Sequence, residues 1–182
     1  ELYHEIQIFD SIAPQIGGNI ADTYVDGCDL SVLTNYPMAT NHAEFMALNG
    51  VLVTEACTPF DDLVLYADEI VQGSCPITVL RTYSFEDECG NVSNEVIQTI
   101  FIQDTTTPVF TDIIADQMLV STDCEFVVPD FTDTVRTRIS DNCNNVNEID
   151  ISQLPVAGTI VTANRQVQIT ITDSCGNSAM MN

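Results

Sequence analysis

The stretch Val167-Gln168-Ile169-Thr170-Ile171-Thr172-Asp173-Ser174-Cys175-Gly176-Asn177 decides the fold. Its first half alternates with period two, so Val167, Ile169 and Ile171 face a core while Gln168, Thr170 and Thr172 face water, as in a half-buried antiparallel strand. Its second half is a turn in which Gly or Asn accepts positive φ. The pattern also stands 86 residues upstream, where Arg81-Thr82-Tyr83-Ser84-Phe85 runs into Glu86-Asp87-Glu88-Cys89-Gly90-Asn91. Tyr83 and Phe85 then take the inward positions of Ile169 and Ile171.

Working outward, the similarity continues. Cys57 and Cys143 are also 86 apart, so each copy sets two Cys 32 residues apart, Cys57 with Cys89 and Cys143 with Cys175. Phe9-Asp10-Ser11-Ile12-Ala13-Pro14 returns 94 residues later as Gln103-Asp104-Thr105-Thr106-Thr107-Pro108, each an Asp-x-x-x-Pro after an apolar alternating run. Residues 96–102 read as a returning strand that leaves through this Thr-rich, Pro-stopped linker. Only residues 43–48 invite even a short helical turn. Short strands joined by polar turns predict an all-β chain of tandem immunoglobulin-like antiparallel β-sandwiches. The expected boundaries are residues 1–10 as the last strand of a preceding repeat, 11–104 as one repeat, and 105–182 as a second whose last strand is incomplete. The chain then reads as a window on a longer array. The rival reading makes residues 2–9 a donor strand completing a neighbouring filament subunit.

Composition sets limits on function. A length of 182 residues suits two domains of about 90 residues, each able to close a modest core. Four basic residues, all Arg, face 27 Asp and Glu, a net charge of −23. Nothing gathers enough positive charge to grip phosphates, so nucleic-acid binding is excluded. The 45% hydrophobic content and the positive mean hydropathy argue against a disordered acidic tail. No apolar run approaches the roughly 18 residues of a membrane-spanning helix, and the first ten residues lack the basic start and apolar middle of a signal peptide. Neither a membrane span nor a native N-terminus is expected. Seven Cys without Cys-x-x-Cys pairs favour an oxidising, extracellular compartment over a zinc site.

At these residues a family resemblance becomes specific. Val156-Ala157-Gly158-Thr159, the strand from Val167 and Thr172-Asp173-Ser174-Cys175-Gly176-Asn177 resemble the hyalin repeat, an immunoglobulin-like module. The stretch from Leu80 to Asn91 followed by Asp104-Thr105-Thr106-Thr107-Pro108 resembles the hyalin-like repeats of very large Bacteroidota surface adhesins, including gliding-motility adhesins. Together these cover most of residues 13–182. The resemblance implies type IX export, cell-surface display and an adhesive or structural role. One departure is that Met180 stands where hyalin repeats often carry a further Cys, which leaves Cys124 without an obvious mate.

The recurring spacing pairs Cys57 with Cys89 and Cys143 with Cys175, each closing a loop worth roughly 3–4 kcal/mol on the chain-entropy model. Cys28 with Cys75 follows by elimination, and Cys124 is free or paired outside this chain. Seven reduced, buried thiols are the alternative. Redox catalysis is disfavoured because no basic residue adjoins a Cys to lower its pKa.

The large negative charge raises self-repulsion between adjacent modules, which calcium would relieve. A linker entering a sandwich beside its end turns brings Asp10 toward Asp87 and Glu88, and Asp104 toward Asp141 and Asp173. Such carboxylates with backbone carbonyls are an oxygen set that Ca²⁺ accepts. The competing reading has the same Asp residues capping turns through local backbone N–H groups. No organic cofactor is expected. The family resemblance also brings in the Bacteroidota O-glycosylation motif, Asp-Ser/Thr followed by an apolar residue or Thr, which fits Ser11, Thr105 and Thr134. Asn91-Val92-Ser93 matches the N-glycosylation sequon but reads as a turn.

No catalytic residue is expected. Asp61 with Asp62, or Asp141 with Asp173, would serve as a glycosidase pair, yet acid-rich surfaces produce such pairs without function. His4 and His42 have no visible Ser or Cys partner. Two non-enzymatic roles remain, and the insert between Cys28 and Cys57 separates them. In a stalk spacer, whose partners are neighbouring repeats, Tyr36, Pro37, Met38, Phe45 and Met46 pack on a sandwich. In an adhesive module they form an exposed patch for surface glycans or host surfaces.

Overall fold

The computed structural model describes residues 4, 9–116, 118 and 124–182; of the strand expected over residues 2–9, all but His4 and Phe9 lies outside the described residues. The chain is all-β with a few short helices. It divides into two units, Glu1–Val25 with Asp29–Ile102, and Asp26–Cys28 with Gln103–Asn182. Three residues ahead of the first long insert are thus counted with the second unit. Gly27 N–H donates to Gln103 O at 3.2 Å, and Asp26 Oδ1 accepts from Thr105 N–H and Oγ1–H at 3.0 and 2.8 Å.

In the first unit β1 (Gln15–Gly18) pairs antiparallel with β3 (Val51–Thr54), while β2 (Thr23–Asp26), β4 (Val64–Gln72), β5 (Ile77–Glu86) and β6 (Val96–Gln103) form a sheet in the order β2-β6-β5-β4. A short helix, α1 (His42–Met46), lies between β2 and β3. It starts where Asn41 Oδ1 accepts from Glu44 N–H at 3.0 Å while Glu44 Oε2 reaches back to Thr40 N–H at 2.8 Å, a local exchange that satisfies the first-turn donors. Its Phe45 is wholly buried.

In the second unit β7 (Val109–Phe110) pairs with β9 (Ile139–Ser140), β8 (Phe126–Val127) pairs with β11 (Ile160–Val161), and β10 (Asp150–Leu154), β12 (Gln168–Thr172) and β13 (Ser178–Met181) form a sheet in that order. The last strand, expected to be incomplete, pairs with β12 over four residues. Three helical turns were not expected: α2 (Thr132–Arg136), and 3₁₀ turns over Leu30–Asn35 and Phe60–Asp62. Each is too short to print a 3.6-residue period on the sequence. At α2 the start is set by Asp130, whose Oδ1 accepts from Thr132 N–H and Oγ1–H at 2.9 and 2.7 Å.

The two residue offsets carry strand pairs of one unit onto strand pairs of the other. Gln15↔Thr54 and Ile16↔Val53 correspond to Val109↔Ser140 and Phe110↔Ile139. Val64↔Glu86 and Leu65↔Phe85 correspond to Asp150↔Thr172 and Ile151↔Ile171. At the Cys-Gly-Asn hairpins, Glu86↔Val92 corresponds to Thr172↔Ser178. Beyond that point β5 and β6 slip by one residue to reach Tyr83↔Val96, a bulge that β12 and β13 lack. Gly90 and Gly176 hold φ of 85° and 89° in the two turns, the conformation their sequence position requires.

Each unit closes its own core from these inward positions. In the first, Ile16, Phe45, Val53, Leu63, Tyr83 and Phe85 meet, with the Phe45 ring edge-on to Tyr83 and Phe85 at 5.4 and 5.1 Å. In the second, Val135, Ile139, Ile149, Ile169 and Ile171 meet, so aliphatic residues fill the positions held by aromatics in the first. Tyr83 keeps its hydroxyl satisfied inside, donating to Gln98 Oε1 at 3.1 Å and accepting from Ala39 N–H at 3.4 Å. Burial pushes its phenol up from the ordinary value, against a smaller opposing effect of that amide. Arg81 shares the inward face of β5 and is satisfied there by Glu69 Oε2 and the carbonyl of Tyr36, both at 2.7 Å.

Candidate functional site

The candidate site is built on the aspartates of the two Asp-x-x-x-Pro segments. In the second unit, β12 delivers Asp173 into the turn, where its Oδ1 accepts from Cys175 and Asn177 N–H, both at 2.8 Å, and its Oδ2 accepts from Asn177 Nδ2 at 2.8 Å. Asn177 Nδ2 also donates to the backbone carbonyl of Asp104 at 3.0 Å, which seats the linker against the turn. Asp104 Oδ1 caps its own linker through Thr106 N–H at 3.0 Å and takes Asn142 Nδ2 at 3.2 Å. Asp141, directly after β9, accepts from Cys143 and Asn144 N–H through Oδ1 at 3.1 and 2.8 Å. One oxygen from each of Asp104, Asp141 and Asp173 lies within 4.8 Å of the others.

The first unit repeats this arrangement. Asp87 Oδ1 accepts from Cys89 and Asn91 N–H at 2.9 and 2.8 Å, and Oδ2 accepts from Asn91 Nδ2 at 2.8 Å. Asn91 Nδ2 donates to the Asp10 carbonyl at 3.2 Å, and Asp10 Oδ1 caps Ile12 N–H at 2.9 Å. Burial raises the Asp87 pKa, but the hydrogen bonds from Asn91, Cys89 and Gly90 outweigh it, and the net shift is downward. Glu55 takes the place of Asp141, its Oε1 accepting from Ala56, Cys57 and Thr58 N–H at 2.8, 2.8 and 3.3 Å. Here the clustered groups are Asp10, Glu55 and Cys57. Hydrogen bonding to the Asp10 carboxylate and its charge push the Cys57 thiol up from its ordinary value.

Each of these aspartates caps a turn, and four of them also cluster, Asp104, Asp141 and Asp173 with one another and Asp10 with Glu55 and Cys57. Glu88 does neither. It is exposed and its N–H donates to Thr58 Oγ1 at 3.3 Å, so the expected approach of Asp10 to Glu88 is replaced by an approach to Glu55. Glu55 was missed although its signal was present, because it stands two residues before Cys57 as Asp141 stands before Cys143.

The disulfide expectations need correction. Cys28 bonds to Cys143, with Cα atoms 5.0 Å apart and 115 residues between them in sequence, which displaces both the Cys28–Cys75 and the Cys143–Cys175 pairings. Cys75 and Cys175 are disulfide-bonded as well. Cys57 and Cys89 are free, exposed thiols rather than partners, and Cys124 is a third. The 32-residue spacing recurs because the turns recur; the segment holding Cys28, anchored by Gly27 and Asp26, is what brings a sulfur to Cys143.

The glycan candidates differ from one another. Ser11, Thr105 and Thr134 are all exposed, and of the three the Thr105 hydroxyl donates to Asp26 Oδ1. Among the described residues no helix is long and apolar enough to cross a membrane. Comparison with protein-family models and with curated proteins finds no match to this chain.

Proposed function

We propose that the two units are successive copies of one immunoglobulin-like module, similar to the hyalin repeat, in a long extracellular adhesin or surface filament. The segment acts there as a disulfide-locked stalk spacer that holds a distal adhesive tip away from the cell. The observation that carries this reading is the double occurrence of one linker seat: Asn91 ties Asp10 to Asp87 as Asn177 ties Asp104 to Asp173. A seat built twice, from residues at constant offsets, is what a concatenated module needs at each entry point. The shared strand registers support the same reading. So does most of the insert, whose Phe45 is fully buried and whose Met38 and Met46 pack on the first unit's own core, while Tyr36 and Pro37 stay exposed.

Disulfide-bonded cysteines fit an oxidising, non-cytoplasmic compartment. Display on a bacterial surface after type IX export, gliding as the process served, and O-glycans at Ser11 and Thr134 come from the family resemblance. A second reading, a ligand- or glycan-binding module, has one observation in its favour. Tyr24 is 75% exposed and stacks on Phe101 at 5.0 Å, a flat aromatic surface open to solvent.

Immunogold electron microscopy with antibodies against this chain, on intact cells that make it, tests the proposal. Label along extracellular fibres, with adhesion unaffected by the corresponding Fab fragments, is the expected result. Label inside the cell refutes the location. Label at the tip together with blocked adhesion replaces the spacer with the binding module.

A further inference from the structure

We propose that Asp104, Asp141 and Asp173 bind a hard divalent cation, calcium, in the second unit. Asp104 is 2% exposed and Asp173 6%, yet no N–H or O–H donor reaches Oδ2 of Asp104 or Oδ2 of Asp141. In each of these two carboxylates one oxygen is saturated by the protein and the other, buried, is left with nothing. A buried carboxylate oxygen without a partner is strongly disfavoured unless a cation or water satisfies it. Both orphans belong to one cluster, whose third member, Asp173, already has its own donors. The hydrogen bonds thus occupy one oxygen of Asp104 and of Asp141 and leave the other oxygen of each free.

The arrangement repeats in the first unit. Oδ2 of Asp10 and Oε2 of Glu55 are buried and lack an N–H or O–H donor at the corresponding positions. Buried carboxylate oxygens without such a donor thus stand at the same two positions of both units, with the Cys57 thiol beside Asp10 in the first.

Protein cations do not supply the missing charge. Among the described residues the one ion pair is Arg81 with Glu69, Arg136 and Arg138 spend their guanidinium groups on backbone carbonyls of Val146, Ile149 and Ile113, and the exposed Arg165 pairs with no carboxylate. The geometry suits a metal ion. Oxygens bound to one calcium at about 2.3–2.6 Å lie at most roughly 5 Å apart, and one oxygen from each of the three carboxylates lies within 4.8 Å of the others. An all-oxygen donor set selects a hard cation over zinc or copper. Three carboxylates, with carbonyls or water completing the shell, suit calcium better than magnesium, which keeps most of its own water. The bound ion would hold the linker residue Asp104, the residue after β9 and the β12–β13 turn to one centre. This inference is independent of where the chain works, so failure of the labelling experiment leaves it standing, and the reverse.

The test is equilibrium dialysis of the whole chain against buffered calcium at physiological ionic strength, with bound metal quantified, joined to thermal unfolding in calcium, magnesium and chelator. Calcium is expected to bind and to raise the melting midpoint, and magnesium to do so much less. In Asp141→Asn the amide oxygen still accepts from Cys143 and Asn144 N–H, so the turn is kept while one charge is removed. That variant is expected to lose one equivalent of bound calcium per chain and to melt in chelator at or above the unsubstituted chain, because a crowded charge is gone. Its order of stability thus reverses between chelator and calcium. Asp133→Asn, on the exposed side of α2, is expected to bind and melt in calcium like the unsubstituted chain. Absence of bound calcium on the unsubstituted chain overturns the proposal whether or not any variant folds, as does full calcium stoichiometry in a folded Asp141→Asn. Equal protection by magnesium overturns the assignment to calcium.

Discussion

Replacing Asn177 isolates the linker seat. Its side-chain amide makes two bonds, one to Asp173 Oδ2 at 2.8 Å and one to the Asp104 carbonyl at 3.0 Å. A hydrogen bond to an ionised acceptor contributes about 1.5–3 kcal/mol and one to a neutral carbonyl about 1 kcal/mol, and both acceptors are left dry when the donor goes. Freeing the Asn side chain returns up to about 1 kcal/mol of rotamer entropy. Asn177→Ala is therefore expected to cost about 2–3 kcal/mol, which for a unit of this size lowers the melting midpoint by roughly 10–20 °C. Asn177→Asp keeps the shape but turns both donations into repulsion, against the Asp173 carboxylate and the Asp104 carbonyl, and it is expected to cost more than the alanine. Composition provides the assay: all five Tyr lie before residue 103 and Trp is absent, so tyrosine fluorescence reports the first unit while far-ultraviolet circular dichroism reports both. In urea titrations Asn177→Ala should move the dichroism transition more than the tyrosine transition, and Asn91→Ala should move the tyrosine transition. A shift below about 0.5 kcal/mol for Asn177→Ala, the range of an ordinary surface substitution, or an aspartate milder than the alanine, refutes the assignment of the linker seat to these two bonds.

Three further outcomes are expected. Peptide mapping without reduction should recover Cys28 joined to Cys143, and the Cys28→Ser, Cys143→Ser double variant should lose about 5 kcal/mol on the chain-entropy model for so long a loop; recovery of Cys57 joined to Cys89 would contradict their assignment as free thiols. Phe85→Ala, which empties a fully buried position contacting Phe45 and His42, should cost about 3–5 kcal/mol in the tyrosine-reported transition, and a loss under about 1 kcal/mol would place that ring outside the core. Asp87 has its folded pKa lowered, so its contribution is fully present above the unfolded carboxylate value of about 3.9 and is lost as pH falls through the lower folded value. Acid titration should destabilise the first unit in that window, and Asp87→Asn should flatten that part of the profile; an unchanged profile contradicts the role given to the Asp87 hydrogen bonds.

How far the sequence reached depended on whether a feature was local. Period two placed Tyr83, Phe85, Ile169 and Ile171 inward, and each is at most 4% exposed, because alternation is a property of a single strand and needs no knowledge of its partner. The Cys-Gly-Asn turns were legible for the same reason, since Asp87 and Asp173 organise them from within five residues. The disulfides were not. Cys28 meets Cys143 across 115 residues, and no local pattern encodes which distant turn a three-residue excursion will reach. Glu55 fell between these cases. The offset that related Cys57 to Cys143 also related Glu55 to Asp141, but a Glu opposite an Asp breaks residue identity while preserving a carboxylate, and only the capped N–H groups of Ala56 and Cys57 reveal the equivalence.

The charge imbalance and the orphaned oxygens are two views of one economy. With four cationic side chains against 27 acidic ones, a chain of this kind has to choose where its guanidinium groups go. Arg81 is kept inside the first sandwich, at 3% exposure, where an unpaired cation would be intolerable and Glu69 answers it. Arg136 and Arg138 secure carbonyls near α2 and β7, doing the work of caps. Arg165, the fourth, is exposed and forms no ion pair among the described residues. The linker aspartates therefore have no cationic partner there, although Asp104, Asp141 and Asp173 stand close enough for their charges to repel. The protein instead meets each of them with neutral donors, the backbone amides of the turns and the side chains of Asn91, Asn142 and Asn177. Neutral donors fix the positions of carboxylates without cancelling their charge. Seats built this way hold the carboxylates in place and leave their charge uncancelled by the protein's own side chains.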